Sequence, residues 1–391
     1  MISFKSMKSY IHATITSTLA WAGNIYDLLL ITYVYSFLEK IFNLSFFDVS
    51  LLFSLGLLGR VVGGIIFGSV ADKKGRKFTL MIGTGGYSVF QAMLAFSPNV
   101  LSLFLSRFIE GIFMGAQWTA GTVLAYENSP VNLRSFIVSV VQAGYGLGYM
   151  LTGITYLIFL PYIDYDWRFF LLVGAFPLIL LPYIKVKVQE SPVFNYVNDR
   201  VRLMDYYRVI LNASLAMSGM FVAYFAVFGN YTILAEGWAK MSPEILGYLM
   251  TIANLFLTVS FIIFGRLASV ISVRKLIYIG IAGLGTSLIF SVPLIPNILS
   301  MFIGTIFYAF FTGFWPLMPL LVAQSVPHEV RGLISGLTYN IGGFVGGLGN
   351  TIIGLIANVQ NLHLWVDLLG YLFISVVFIS VITWPKYEIK N

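Results

Sequence analysis

The chain has 391 residues, 58% of them hydrophobic and only 10% charged, with a mean hydropathy of +0.87 and a net charge of +7. A soluble domain carries about 25% charged residues, so this composition excludes a water-soluble exterior and makes the bilayer the solvent. Without cysteine there are no disulfides, iron–sulfur ligands or cysteine zinc sites; His12, His328 and His363 lie too far apart in sequence to suggest a metal site.

Met1 to Tyr10 is short and polar and runs into a full-length apolar stretch, so it does not read as a cleaved signal peptide. A membrane helix needs about 20 apolar residues, and twelve candidate spans follow in chain order. The first, 11–38, contains Asp27. The second, 46–71, contains Arg60 and runs into the turn Gly68-Ser69-Val70-Ala71-Asp72-Lys73-Lys74-Gly75-Arg76-Lys77. The cations of that turn cannot enter a bilayer and mark the cytoplasmic side. The third and fourth spans, 77–97 and 99–128, are followed by 133–160 and 167–187. Residues 188–206 form the longest polar stretch, with charges of both signs, and read as a cytoplasmic linker. Six more spans fall at 207–234, 243–270, 275–293, 296–326, 330–357 and 363–385. Trp315-Pro316 and Pro319 are expected to bend the tenth.

The result is an all-α polytopic membrane protein in two units, 1–187 and 207–391, joined by 188–206. With both termini on one side, eighteen of the 23 Lys and Arg fall on that side, and Lys40, Arg168 and Lys240 on the other. That asymmetry puts both termini in the cytoplasm. The two units also repeat. Gly68 and Gly265, Trp118 and Trp315, Pro130 and Pro327, and Arg134 and Arg331 all share one offset, 197 residues. Two parallel six-helix repeats with a site between them near the midplane is a known transporter plan.

Ionisable residues inside a span are costly and mark function by default. Asp27, Arg60, Arg107 and Glu110 sit well inside, all in the first half. Asp27 and Arg60 fall near mid-span and are expected at similar depth. Arg60 suits a bidentate carboxylate, and Asp27 suits a proton carrier. On that view a proton on Asp27 releases Arg60 for an anionic substrate; the plainer view is a buried pair that only fixes packing. Arg107 has two open roles, bracing the fourth span against the first or tuning the proton site, and Glu110 is one turn away, in reach for pairing. In the second half, Asn230, Asn254, Tyr339, Asn340 and Trp315 can bond or stack on an organic substrate.

The turn with Gly68, Asp72, Gly75 and Arg76 resembles the signature loop of major facilitator superfamily transporters. Several segments are similar to its organic-acid branch, the metabolite:proton and sialate:proton symporters. These are Gly23-Asn24-Ile25-Tyr26-Asp27, Gly59-Arg60-Val61-Val62-Gly63-Gly64, Pro327-His328-Glu329-Val330-Arg331-Gly332 and Tyr339-Asn340-Ile341-Gly342. The run from Trp167-Arg168 to Glu190-Ser191-Pro192 is shared with sugar porters as well. Gly343 stands where these families often place Arg, which favours a monocarboxylate. Gln117 stands where Glu commonly precedes Trp118, which throws more weight on Asp27.

The resemblance implies the major facilitator fold and proton-driven uptake of a small organic acid by alternating access, in the cell membrane. Asp27 and Glu110 would couple protons, and Arg60, Arg107, Gln117, Tyr339 and Asn340 would hold substrate. Gly68, Asp72, Gly75, Arg76, Arg134 and Arg331 would gate the cytoplasmic face. The expected partners are the organic acid, protons and lipid, with no cofactor or nucleic acid, in a monomer. A sugar or neutral-solute transporter is the rival. Efflux is disfavoured because Ala143-Gly144-Tyr145-Gly146-Leu147-Gly148 lacks a following Gly-Pro. A nutrient sensor would favour long cytoplasmic tails, and no enzyme constellation is apparent.

Overall fold

The computed structural model describes residues 4–130, 133–163, 166–192, 203–268, 270–326 and 328–385, apart from the side chains of 4–8, 46, 69, 72, 135, 203, 323 and 328–333. Every regular element among them is helical. The first candidate span is α1 (Phe4–Leu30), a 3-10 turn at Ile31–Val34 and α2 (Tyr35–Phe42). Asn43 ends α2 in the left-handed region with φ 52°. Ser45 then opens α3 (Phe46–Lys74) with a reciprocal cap: it accepts from the Asp48 amide at 3.2 Å, and Asp48 accepts from the Ser45 amide at 2.8 Å. Next come α4 (Arg76–Ala95), α5 (Val100–Asn128), which Asn99 and Ser102 cap in the same way, and α6 (Arg134–Phe159).

The sixth span is not one helix. It runs as α7 (Trp167–Leu172), a 3-10 stretch at Val173–Ile179 and α8 (Leu180–Lys187). Pro177 lies inside the 3-10 stretch, where its missing N–H removes a rung of the α ladder. In the second half α9 (Tyr207–Phe228) is followed by a π-helical turn at Ile233–Trp238, then α10 (Pro243–Leu267) and α11 (Val273–Ser291). The bend expected in the tenth span is a break: α12 (Ile298–Phe311) passes through a 3-10 turn at Thr312–Phe314 before α13 (Leu317–Ala323). Two long helices, α14 (His328–Ile356) and α15 (Leu362–Ile382), complete the chain.

Among the described residues nine helical segments are long and apolar enough to cross a membrane. The outer surface agrees with a lipid setting, because Ile65, Leu101 and Ile179 are 64%, 69% and 77% exposed. Helix limits recur at the repeat offset of 197 residues: α3 and α10 begin at Phe46 and Pro243, α4 and α11 at Arg76 and Val273, and α6 and α14 end at Phe159 and Ile356.

Glycine sets the closest packing. A Cβ on Gly63 of α3 would run into the Ile112 carbonyl of α5, and one on Gly111 of α5 would meet the Gly56 carbonyl of α3. The two backbones are therefore in contact, as small residues permit between membrane helices. The first half meets the second along α3 with α14 and α6 with α10. The α6–α10 contact runs from Ser139 beside Gly265, through Gly146 beside Thr258, to Leu157 beside Gly247. Contact along the whole length encloses whatever lies between the halves.

Candidate functional site

Arg60 of α3 lies at this inter-half contact and is 3% exposed. Its guanidinium carbon sits 4.5 Å from the centroid of the Trp21 ring on α1. A desolvated contact of this kind contributes about 2 kcal/mol. Arg60 Nε and Nη2 have no hydrogen-bond partner among the described residues. Burying a guanidinium with unmet donors costs several kcal/mol, more than the stacking returns. The site is thus short of an acceptor.

Aromatic side chains from both halves surround it. Trp21 stands 4.0 Å from Trp118 of α5, and Trp118 stands 4.6 Å from Tyr339 of α14, by ring centroids. Tyr339 is 5.1 Å from Phe221 of α9, Phe221 is 4.6 Å from Trp315, Trp315 is 5.4 Å from Tyr145 of α6, and Tyr145 is 6.1 Å from Trp21. Gln142 Nε2 donates to Tyr339 Oη at 3.3 Å across the interface. Asn340 packs at Gly64, one turn beyond Arg60, and its Oδ1 has no partner among the described residues.

Asp27 lies elsewhere. Trp21 and Asp27 are six residues apart on α1, about 240° around a helix of 3.6 residues per turn, so Asp27 turns into the first half. A Cβ on Gly174 would lie 2.7 Å from Asp27 Oδ1 and 2.8 Å from Gln91 Nε2. Asp27 is wholly buried, and neither carboxylate oxygen has a hydrogen-bond partner among the described residues. No ion pair joins Asp27 to Arg60 among those residues. The expected direct competition between the two therefore has no geometric basis here.

Arg107 stands beside Asp27 instead. Its Nη1 donates to Glu110 Oε2 at 3.0 Å and to the Asp27 carbonyl at 3.4 Å, and Nη2 donates to the Leu28 carbonyl at 2.6 Å. These carbonyls lie where α1 tightens into the 3-10 turn, and end-of-helix carbonyls need outside donors. Arg107 thus braces α5 against α1 and pairs with Glu110. Gln117 turns the same way: its Oε1 accepts from Asn24 Nδ2 at 2.7 Å. The structure brings Arg60, Tyr339 and Asn340 together, and groups Arg107, Glu110 and Asp27 apart from them.

At the basic turn, Gly75 has φ +103°, and a Cβ there would collide with Glu190. Glu190 accepts from the Arg76 amide at 2.8 Å and the Lys77 amide at 3.1 Å, so a carboxylate caps the positive end of α4. Arg76 Nε lies 3.7 Å from Glu127 Oε2, and Arg134 stacks over Tyr126 at 4.7 Å. These two contacts join parts of the first half. A Cβ on Gly68 would meet nothing within 4 Å, so close packing does not require glycine there. The side chains of Asp72 and Arg331 lie outside the described residues.

Trp21, Gln142 and Phe221 escaped the sequence reading as site residues. A signal existed for the α6 face: Gln142, Tyr145, Tyr149, Thr152 and Tyr156 recur at three- and four-residue spacing, a polar-aromatic stripe on one side of an apolar helix.

Residues 13–349 match the Major Facilitator Superfamily. The sialic acid transporter NanX of Escherichia coli K12 is 28% identical over 83% of this chain and 82% of its own length. The 4-hydroxybenzoate transporter PcaK of Acinetobacter baylyi is 34% identical over a shorter stretch, 35% of this chain and 30% of its own. The solved D-xylose-proton symporter superposes with a TM-score of 0.77 over 97% of this chain and 98% of its own, at 18% identity, which speaks to the fold alone. The chain belongs to the Major Facilitator Superfamily and is a membrane transporter, not an enzyme.

Proposed function

We propose that the chain is a proton-coupled symporter that takes up a small organic acid by alternating access. One observation carries the substrate class: Arg60 is buried between the halves with unmet donors and no carboxylate partner among the described residues. A ligand carboxylate supplies both the missing charge and the missing acceptors, in the fork geometry a guanidinium prefers. Tyr339 and Asn340 stand beside it as further contacts.

The proton site is the separate cluster of Asp27 and Glu110. Both carboxylates are wholly buried; Glu110 pairs with Arg107, the Asp27 carboxylate bonds to nothing among the described residues, and a single proton makes the three side chains neutral together. Coupling then runs through α1. Arg107 holds its carbonyls at Asp27 and Leu28, and the same helix carries Trp21 under Arg60. Charge change at Asp27 shifts the helix that supports the substrate arginine. In this reading twelve spans form two bundles, 1–187 and 207–391, joined by 188–206. Both termini face the cytoplasm, and the unit works as a monomer in the cell membrane. Gln117 belongs to the helix packing that positions Trp118, and Gly75, Arg76 and Arg134, with Gly68, Asp72 and Arg331, form the cytoplasmic gate.

The test is uptake by purified protein in liposomes under an inward acid gradient. Wild type accumulates a carboxylate, Asp27→Asn exchanges it without accumulating it, and Arg60→Ala does neither. Accumulation of a neutral sugar that ignores Arg60→Ala would refute this reading in favour of the sugar-transport rival.

A further inference from the structure

The six rings around Arg60 close on themselves. In order they are Trp21, Trp118, Tyr339, Phe221, Trp315 and Tyr145, with successive centroids 4.0, 4.6, 5.1, 4.6, 5.4 and 6.1 Å apart. Trp21, Trp118 and Tyr145 come from the first half, and Tyr339, Phe221 and Trp315 from the second. Each half thus supplies one arc of three, and the loop has two seams, Trp118 against Tyr339, where Trp21 also lies 6.3 Å from Tyr339, and Tyr145 against Trp315. Trp118 and Trp315 occupy equivalent positions of the internal repeat, one at each seam. Any motion that parts the halves opens these seams and separates the rings that meet there.

From this loop we infer that the organic acid is a planar aromatic monocarboxylate; the inference rests on the carboxylate reading of Arg60. A flat ring entering an opened seam stacks on both arcs and restores to each the aromatic neighbour it had. A saturated ring of the same size presents axial hydrogens to both faces and cannot. Aromatic pairs contribute about 0.5–1.5 kcal/mol beyond their area, and a slot between two arcs offers two such pairs. The polar handles fit a lightly substituted ring. Trp21 Nε1 and Trp315 Nε1 are buried donors, and Asn340 Oδ1 a buried acceptor, with no partner among the described residues. They can meet the carboxylate and a few ring hydroxyls. The many hydroxyls of a nine-carbon sugar acid would enter a wall of aromatic carbon, and each one left unpaired costs about 1–3 kcal/mol.

Gallate and shikimate make a matched probe pair. Each carries one carboxylate and three adjacent hydroxyls on a six-membered ring, aromatic in gallate and a puckered cyclohexene in shikimate. Binding is measured by calorimetry on the purified full-length protein, together with 4-hydroxybenzoate, benzoate and N-acetylneuraminate. The expected result is at least tenfold tighter binding of gallate than shikimate, about 1.4 kcal/mol, with N-acetylneuraminate weaker still. Trp315→Leu then weakens gallate more than shikimate and narrows the ratio between the two. The wild-type ratio decides the matter even if that variant fails to fold. Equal affinities within the pair, preference for N-acetylneuraminate, or no binding of any aromatic acid overturns the inference. If both ligands bind equally and both are lost in Arg60→Ala, the aromatic inference alone has failed. If gallate binds undiminished in Arg60→Ala, the carboxylate reading has failed.

Discussion

The two halves share a helical frame and differ in chemistry. At the constant offset of 197 residues, the counterparts of Asp27, Arg60, Arg107 and Glu110 are Tyr224, Leu257, Gly304 and Phe307. The four charges of the first half thus have no charged counterpart; the second half answers at those positions with a tyrosine, a leucine, a glycine and a phenylalanine. The difference extends to packing. Gly63 and Gly111, which bring α3 and α5 to backbone contact, correspond to Ser260 and Tyr308. The first half is therefore a charged unit with backbone contact between α3 and α5, and the second an aromatic face whose own close approaches fall at other positions, as at Gly304 against Phe290. Chemistry in this molecule lies where its internal symmetry is broken.

The sharpest break of the comparison is steric. Gly63→Leu places a branched side chain against the Ile112 carbonyl, and nothing there can move without separating α3 from α5. Expected is loss of folded protein, a cost above about 4 kcal/mol, seen as aggregation by size-exclusion chromatography in detergent. Gly285→Ala of α11, where a Cβ meets nothing within 4 Å, should elute as wild type.

Next in size is the charge itself. Arg60→Ala should weaken carboxylate binding by at least about 100-fold, since hydrogen bonds to a charged group contribute roughly 1.5–3 kcal/mol each and two donors are removed. Arg60→Lys keeps the charge and loses the fork, and should recover only part of that loss. Full affinity in Arg60→Ala, measured by calorimetry, would move the substrate site elsewhere. A smaller effect is expected from Glu110→Gln. It removes one of the two carboxylates around Arg107 and should lower acid-driven accumulation in liposomes about tenfold while exchange continues.

Much of this frame was legible in the sequence. Apolar runs located the helices, Trp315-Pro316 located the break after α12, and shared spacings exposed the repeat. Asp27 and Arg60 were visible because a charge among apolar residues stands out. Their separation was not visible, because a membrane helix is apolar toward lipid and toward protein alike, so its periodicity gives no rotational phase. Without phase, Trp21 and Asp27 cannot be assigned to opposite neighbours, nor Gln117 and Trp118 to different ones. The aromatic loop was hidden for the same reason. In a chain with 34 Phe, 23 Tyr and 7 Trp, six rings near one arginine carry no distinguishing composition.

The smallest expected effect returns to the two halves at their matching helix starts. Gly75 and Ser272 are the N-caps of α4 and α11 and correspond in the repeat. At α4 the Glu190 carboxylate, from beyond α8, receives the Arg76 and Lys77 amides, while at α11 the Ser272 side chain makes no capping bond. A lost cap of the first kind costs about 1 kcal/mol, a shift of at most a few degrees in a chain this long. Glu190→Ala should therefore lower the detergent-solubilised melting temperature slightly, and Ser272→Ala should leave it unchanged. Because Glu190 also ties the end of α8 to the basic turn, its loss should loosen that end of the first half and raise proteolysis near Gly75. Equal shifts for the two substitutions would mean that the halves are held alike at this face, and that the asymmetry stops at the membrane midplane.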